Sequence, residues 1–287
     1  MSTHTTGTAT AKAPAVRTSV RALPGTWSLG LSRGLLELKQ FARRRDAVVF
    51  TFAFPVVFLA LFASIFGDDV EGAGVTASQL YAAGMIAAGI MSVSFQSLGI
   101  SIAVERDEQV LRRLSGTPMP PAAYFLGKLW MVLVTGLLET ALLLLVGTAL
   151  FDLDLPSTAA RWLTFSWIFV LGLTGCALLG IAISSLPRSG KSASSVVVLP
   201  FLVLQFTSGV FIPVHAIPQW LLNISSFFPL KWMCQGFRGI FLPESAAVLE
   251  PAGSWEFGRI ALVLGAWCIG GLVLCLLTFR WKSRRAG

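Results

Sequence analysis

LGKLWMVLVTGLLETALLLLVGTAL, from Leu126 to Leu150, carries one lysine near its start and one glutamate at its middle; every other residue is apolar, glycine or threonine. A run this long without polar alternation reads as a helix, and it exceeds the roughly 20 residues needed to cross a hydrocarbon core of about 30 Å. On either side of it, similar runs occur at Ala47–Phe66, Gln79–Val104, Trp162–Leu186, Ser194–Ile212 and Ile260–Phe279. In lipid every backbone polar group must be satisfied internally, and continuous runs exclude the alternating strands of a barrel. The chain therefore reads as an all-α, polytopic membrane protein with six transmembrane helices. Its composition agrees, since 55% of the 287 residues are hydrophobic and only 13% charged, outside the range of soluble domains.

The formal charge of +8 would suggest a nucleic-acid partner in a soluble protein, but here topology accounts for it and no nucleic acid is expected. With the N-terminus inside, the cytoplasmic segments collect Lys12, Arg17, Arg21, Arg33, Lys39 and Arg43–Arg45, then Arg106, Arg112, Arg113, Lys128, Arg188 and Lys191, and finally Arg280, Lys282, Arg284 and Arg285. Only Arg161, Lys231, Arg238 and Arg259 fall outside, which is the asymmetry that sets membrane orientation. Asp68, Asp69, Glu71, Asp152 and Asp154 lie in outer loops, consistent with it. Both termini are expected in the cytoplasm.

Residues 1–24 are rich in Thr, Ala and Pro and read as a disordered cytoplasmic tail. Residues 25–46 follow as a basic amphipathic helix at the membrane interface, with Trp27, Leu31, Leu35, Leu38 and Phe41 at helical spacing. The transmembrane domain occupies 47–287. Pro55 and Pro200 interrupt the first and fifth spans, and small residues four apart (Gly84 and Ala88, Gly172 and Cys176, Cys176 and Gly180) suit close helix approach. The stretch Pro213–Gly258 is too long for a structureless connection. Ile217, Trp220, Leu221, Ile224 and Phe228, bounded by Pro218 and Pro229, predict short interfacial or re-entrant helices on the outer side between spans five and six.

Catalytic and metal chemistry find no support. The two histidines, His4 and His215, build no cluster, three of the four cysteines fall inside spans, and the serines around Ser184–Ser195 have no nearby base. Gly190-Lys191-Ser192 resembles the end of a phosphate-binding loop, but Ser185 stands where its first glycine belongs and a membrane helix replaces the strand, so it reads as a basic cytoplasmic turn. Glu139 is the one carboxylate deep within a span. It is either a structural group or the coupling residue of a proton-driven secondary transporter, a class that also tends to show internal repeats, and none is visible.

The first cytoplasmic loop, ERDEQVLRRLSGTPMPPAAYFLGK from Glu105 to Lys128, is unlike a plain linker. Glu108 and Arg112, like Gln109 and Arg113, are four apart, so a short charged helix is expected before the Thr117–Pro121 break, presenting Val110, Leu111 and Leu114. Such a helix at a membrane surface suits docking of a soluble partner.

Glu105-Arg106, Leu111, Arg113-Leu114, Thr117-Pro118-Met119-Pro120 and Gly127-Lys128 resemble the loop of type-2 ABC exporter permeases, of the drug-resistance (daunorubicin-type) branch. A second likeness lies at Gly209-Val210-Phe211-Ile212-Pro213, Ile217–Leu221 and Phe228-Pro229-Leu230; Gln109-Val110 and Trp232 depart from the usual pattern. The resemblance implies a non-catalytic half-transporter in a bacterial cytoplasmic (inner) membrane, paired with a second permease copy, as homodimer or sister heterodimer, and with two ABC ATP-binding subunits that hold the ATP and Mg. It implies ATP-driven export of a hydrophobic or amphipathic drug, antibiotic or lipid. The residues implied to couple to the ATPase subunit are Glu105, Arg106, Glu108, Leu111, Arg112, Arg113, Leu114, Thr117 and Pro118. Ser92, Phe95, Gln96, Gln205 and Phe206, of mixed aromatic and polar character, are the expected substrate pathway.

Overall fold

The computed structural model describes residues 25–66, 69–70, 74–151 and 153–278, and among them six helical paths are long and apolar enough to cross a membrane. The tail 1–24, Asp68, Glu71, Asp152 and the basic residues after Thr278 lie outside the described residues.

Helix α1 (Thr26–Arg43) ends at Arg44, whose ψ of 81° breaks the helix before α2 (Arg45–Phe66), the first span. A two-residue antiparallel ladder, β1 (Asp69–Val70) with β2 (Val75–Thr76), leads into the second. That span starts at a capping box: the Gln79 N–H donates to Thr76 Oγ1 (3.3 Å) and the Thr76 N–H to Gln79 Oε1 (3.2 Å). It runs through α3 (Ala77–Met91), a π-helical turn at Ser92–Ser97 and α4 (Leu98–Asp107) as one path. After the short α5 (Val110–Ser115) come α6 (Pro121–Leu150), α7 (Ala159–Ile183) and α8 (Gly190–Thr207), spans three to five. The segment between the fifth and sixth spans forms α9 (Gln219–Ser225) and α10 (Pro229–Phe241), and α11 (Phe257–Thr278) is the sixth span.

Pro55 and Pro200 both sit inside helices that continue past them, α2 and α8. The fifth span stops at Thr207, short of the expected Ile212, because the chain reverses at Gly209. There φ is +82°, and a Cβ would lie 2.5 Å from Val214 Cγ2, so only glycine fits the turn. Gly190-Lys191-Ser192, expected as a turn, instead opens α8: Ser189 is the N-cap and forms a reciprocal box with Ser192.

The second span is the hub, its α3 half almost entirely buried, while α2 and α11 are peripheral and turn most of their surface outward. α11 lies parallel to α7 along a seam of small residues: the Cys268 thiol donates to the Leu171 carbonyl (3.3 Å), the Cys275 thiol to Leu178 (3.1 Å), and Gly271 sits against Leu178 Cβ.

Of the short helices expected between the fifth and sixth spans, the apolar stripe after Pro213 located only the stretch up to Phe228. The structure places α9 there, and beyond it the longer α10, every residue of which is buried. Pro229 does not terminate the outer helices but occupies the first position of α10, where its missing N–H costs nothing. The apolar side of α10 packs between α3 and α7. Its polar stripe of Lys231, Gln235 and Arg238 is covered by the strap that leads to α11: Arg238 Nε donates to Glu250 Oε1 (2.7 Å) and Gln235 Nε2 to the Ser254 carbonyl (3.1 Å). Arg238 Nη1 also donates to the Gly209 carbonyl (3.1 Å), tying the end of the fifth span to this buried helix.

Candidate functional site

On the face where α4 ends and α6 begins, the loop is built from residues that divide sharply into anchors and exposed groups. α4 stops at Asp107, and Gln109 takes a left-handed φ of 61° before α5. Glu108 and Gln109 therefore precede the helix, and the expected i,i+4 pairs do not form; Arg113 Nη2 donates instead to the Glu108 carbonyl (3.3 Å). Arg112 and Arg113 project from α5 into solvent together with Glu108, Thr117 and Pro118, while Leu114 is half-buried. Thr117 Oγ1 closes the helix end by donating to the Leu114 carbonyl (2.7 Å).

Glu105, Arg106 and Leu111, read from the sequence as part of the same docking face, turn inward. Leu111 is buried. Arg106 Nη2 donates to the carbonyls of Ser184 (2.5 Å) and Pro187 (3.2 Å) and so caps the C-terminal end of α7, where a cation meets unpaired carbonyls. Asp107 Oδ2 accepts from the Gly190 N–H (2.8 Å) at the start of α8, where an anion is favoured. Adjacent residues of the second span thus hold both ends of the turn between α7 and α8.

Glu105 belongs to a buried charge cluster. Lys128, 1% exposed on α6, donates from Nζ to Glu37 Oε2 of α1 (2.8 Å), to Ser101 Oγ of α4 (3.0 Å) and to Glu105 Oε1. Tyr124 Oη donates to Glu105 Oε2 (2.8 Å), and Arg33 pairs with Glu37 Oε1 (2.6 Å) and approaches Glu105 Oε2 at 3.9 Å. Arg33 and Lys128 also sit beside the Tyr124 ring, 5.8 and 5.6 Å from its centroid. Two cations and two carboxylates balance, which is the condition under which charges can be buried.

The cluster forms because α1 lies directly against α6. A Cβ on Gly34 would lie 2.5 Å from Trp130 Cδ1, one on Gly30 2.5 Å from Leu126 Cδ2, and one on Gly127 2.7 Å from Arg33 Cγ. The buried side of α1 is therefore Gly30, Gly34 and Glu37, while Trp27, Leu31 and Leu35 of the apolar stripe point outward, Trp27 being 73% exposed. Helical periodicity had singled out the apolar stripe; only its C-terminal part, Leu38 and Phe41, packs on the core, and the close contact with α6 lies on the glycine side. A glycine every fourth residue with a glutamate following was the signal for it. Lys128, at the start of the third span and counted in the sequence among the cytoplasmic charges, is buried.

The pathway candidates lie on the π turn and on α8, which are in contact, and they differ in exposure. Phe95 is buried on the π turn, whose Ser94 and Phe95 carbonyls press on Gly180 of α7, and Ser92 and Gln96 are half-buried. Gln205 is buried on α8 without a side-chain partner, whereas Phe206 beside it is 49% exposed. Glu139 is 1% exposed, lies on Gly89 of α3, and has neither carboxylate oxygen hydrogen-bonded.

A family model described as ABC-2 type transporter, the membrane domain, matches residues 35–242. The chain is also 24% identical over 178 residues to the "Probable multidrug ABC transporter permease YbhR" of Escherichia coli (strain K12), and equally to the protein of that name in Escherichia coli O157:H7. That similarity covers 62% of this chain and spans 46% of the relatives' length. The matched stretch contains the charge cluster's Glu37, Glu105 and Lys128, the loop and α10.

Proposed function

Since the chain belongs to the ABC-2 type transporter family of membrane permeases, we propose that it is the membrane-spanning subunit of an ATP-driven exporter in the bacterial cytoplasmic membrane, with both termini in the cytoplasm. The observation that carries this reading is the exposed arginine pair on α5, held on a short helix whose flanks are anchored to four other helices. A loop serving only to connect spans needs no such anchoring. Arg112, Arg113, Glu108, Thr117, Pro118 and the edge of Leu114 form the docking face for an ABC ATP-binding subunit, which binds ATP and Mg. Glu105, Arg106 and Leu111 act behind it, transmitting displacement of α5 to the second span.

Two permease copies, each with its ATPase subunit, make the transporter, and the catalytic step belongs to the partner. Closure of the ATPase pair on ATP shifts the permease between inward- and outward-open states, because ATP binds one state better than the other. A hydrophobic or amphipathic cargo, such as a drug, antibiotic or lipid, suits a pathway whose polar groups are neutral ones such as Gln96 and Gln205. The drug-resistance branch is the assignment that the loop residues favour, and the relatives' multidrug name points the same way.

The test is purification of the tagged chain from native membranes in mild detergent. An ATPase subunit should accompany it near one to one, and R112E/R113E should release that subunit. A permease that purifies alone while transporting at the expense of a proton gradient would overturn the reading.

A further inference from the structure

The turn between α7 and α8, residues 184–189, is clamped from both sides. Arg106 Nη2 donates to the carbonyls of Ser184 and Pro187, the Asp107 carboxylate accepts from the Gly190 N–H (2.8 Å), and the reciprocal box of Ser189 and Ser192 fixes the entry into α8. What this held backbone presents is Leu186, 67% exposed, with Arg188 and Lys191 exposed beyond it. Neither cation belongs to an ion pair among the described residues. Lys191 also stands in the first turn of α8, where a positive charge is disfavoured by the helix dipole, typically by about 0.3–1 kcal/mol. The fold itself gives no reason for a cation at either position.

The turn and α5 share one support. Asp107 holds Gly190, and the next residue, Glu108, accepts through its carbonyl from Arg113 Nη2 (3.3 Å). Neighbouring Cα atoms are about 3.8 Å apart, so Arg112 and Arg113 of α5 and Arg188 and Lys191 of the turn border one another at the end of α4. The charge there is lopsided, because the Asp107 carboxylate is bonded at the start of α8 and Glu108 is left as the acid among exposed cations. Size points the same way. The docking face on α5 is a handful of residues, whereas a stable protein interface takes roughly 20–30 residues a side. The remaining area has to come from neighbouring surface, and this turn is the neighbour fixed to the same two residues. Phosphate headgroups of the membrane would also attract its cations, but long flexible side chains reach them from any loop and need no fixed backbone. A turn clamped at both ends keeps a shape, which is what a protein partner reads.

We propose that the turn between α7 and α8 is a second docking point for the ATP-binding subunit that binds α5, with Leu186 against an apolar patch of that subunit and Arg188 and Lys191 facing carboxylates on it. The inference rests on the reading of α5 given above. Its mechanical consequence is that one subunit grips α5 and the start of α8 at once, so its displacement reaches the second and fifth spans together.

The experiment places a photoreactive benzophenone amino acid at Leu186 of the full-length permease, irradiates native membranes and identifies adducts by mass spectrometry. Thr117 on the α5 face is the reference position, and Leu163, exposed near the opposite end of α7, is the blank. Leu186 should capture the same chain as Thr117, one carrying a phosphate-binding loop, and Leu163 should capture none of it. In a complementary measurement on the purified complex, R188E/K191E should lower the amount of ATP-binding subunit retained through a high-salt wash by about fivefold, with R188Q/K191Q in between. The unfolding midpoint of the permease alone should move by less than about 2 °C, since both side chains are exposed. Capture at Thr117 with only lipid adducts at Leu186 overturns this surface and gives the turn to the membrane. Retention unchanged in R188E/K191E overturns the part assigned to the cations. Capture at neither position overturns the reading of α5 along with this one, whereas capture at Leu186 alone keeps the turn as a docking point and overturns α5.

Discussion

Replacing Lys128 by methionine keeps the length of the side chain and removes the one cation that contacts both carboxylates of the cluster. Nζ is 2.8 Å from Glu37 and in direct contact with Glu105, and the side chain is 1% exposed, so water cannot take its place without opening the interface between α1 and α6. Arg33 would remain, 2.6 Å from Glu37 but 3.9 Å from Glu105. Glu105, largely buried, is then left with the hydroxyls of Tyr124 (2.8 Å) and Ser101 (3.4 Å) and a guanidinium at 3.9 Å, and no close cation. Breaking a buried ion pair from one side costs about 3–5 kcal/mol. At roughly 2–4 °C per kcal/mol for a chain of this size, the apparent midpoint of thermal unfolding should fall by about 6–20 °C. The assay is fluorescence-detected size exclusion after heating, on the permease and on its complex with the ATPase subunit. The decisive comparison is K128M with E105Q added, because neutralising the orphaned carboxylate should recover at least half the loss. A K128M protein within about 2 °C of wild type, with transport intact, would refute the claim that this cluster fastens α1 and the loop to the spans.

Other expectations follow from the same geometry. Gly34→Leu should push α1 off Trp130 and abolish transport while the six spans still assemble, measured by transport against size-exclusion profile. R112E/R113E should change the apparent unfolding midpoint by less than about 2 °C, since exposed charges contribute within about 0.5 kcal/mol, and should release the ATPase subunit in co-purification. Glu139→Gln, which preserves shape where neither oxygen is bonded, should leave export at more than half of wild type; complete loss of transport with an intact fold would point to proton coupling. Burial holds Lys231 below the ordinary lysine value of 10.5, outweighing the pull of Glu250 and Glu256 the other way. The unfolded chain then binds more protons between the folded-state value and 10.5, so stability rises with pH across that window. Lys231→Met should abolish that rise in unfolding midpoints recorded up to pH 10.5.

The spans were legible because lipid leaves a chain few options: runs such as Leu126–Leu150 admit one structure. What escaped was the register of polar contacts inside that frame. Lys128 and Glu37 lie far apart in the chain, and nothing local in either marks them as partners. Each sits in a segment where a charge has an ordinary surface explanation. The loop motif was visible as a pattern, but its two ends do different work: the Gly127-Lys128 step lets α1 pass at the glycine and fills the cluster at the lysine, whereas Arg112 and Arg113 stay exposed to solvent. Short helices were expected between the fifth and sixth spans, but the burial of α10 was not legible, for another reason. Its polar stripe of Lys231, Gln235 and Arg238 reads as solvent-facing, and only the strap carrying Glu250 and Ser254 makes its burial affordable.

The anchors also say where motion is possible. α4 is bonded to α1 and α6 through Glu105 and Ser101, to the end of α7 through Arg106 and to the start of α8 through Asp107. A push on α5 therefore cannot slide the end of the second span past its neighbours; these ends must move together as one block. Above them the second span has a single departure from α-helical geometry, the π turn at Ser92–Ser97, where carbonyls already press on Gly180. Deformation is concentrated where the regular hydrogen-bond ladder is interrupted. The proposed stroke of the ATPase subunits would thus be converted at that turn, next to Phe95 and Gln96, into a change of angle between a cytoplasmic block and an outer half locked by α10, Arg238 and the Gly209 carbonyl. Gly180→Ala is the probe of this argument: a methyl would lie 2.7 Å from the Phe95 carbonyl, and if the turn is the hinge, transport should fall while the ATPase subunit remains bound.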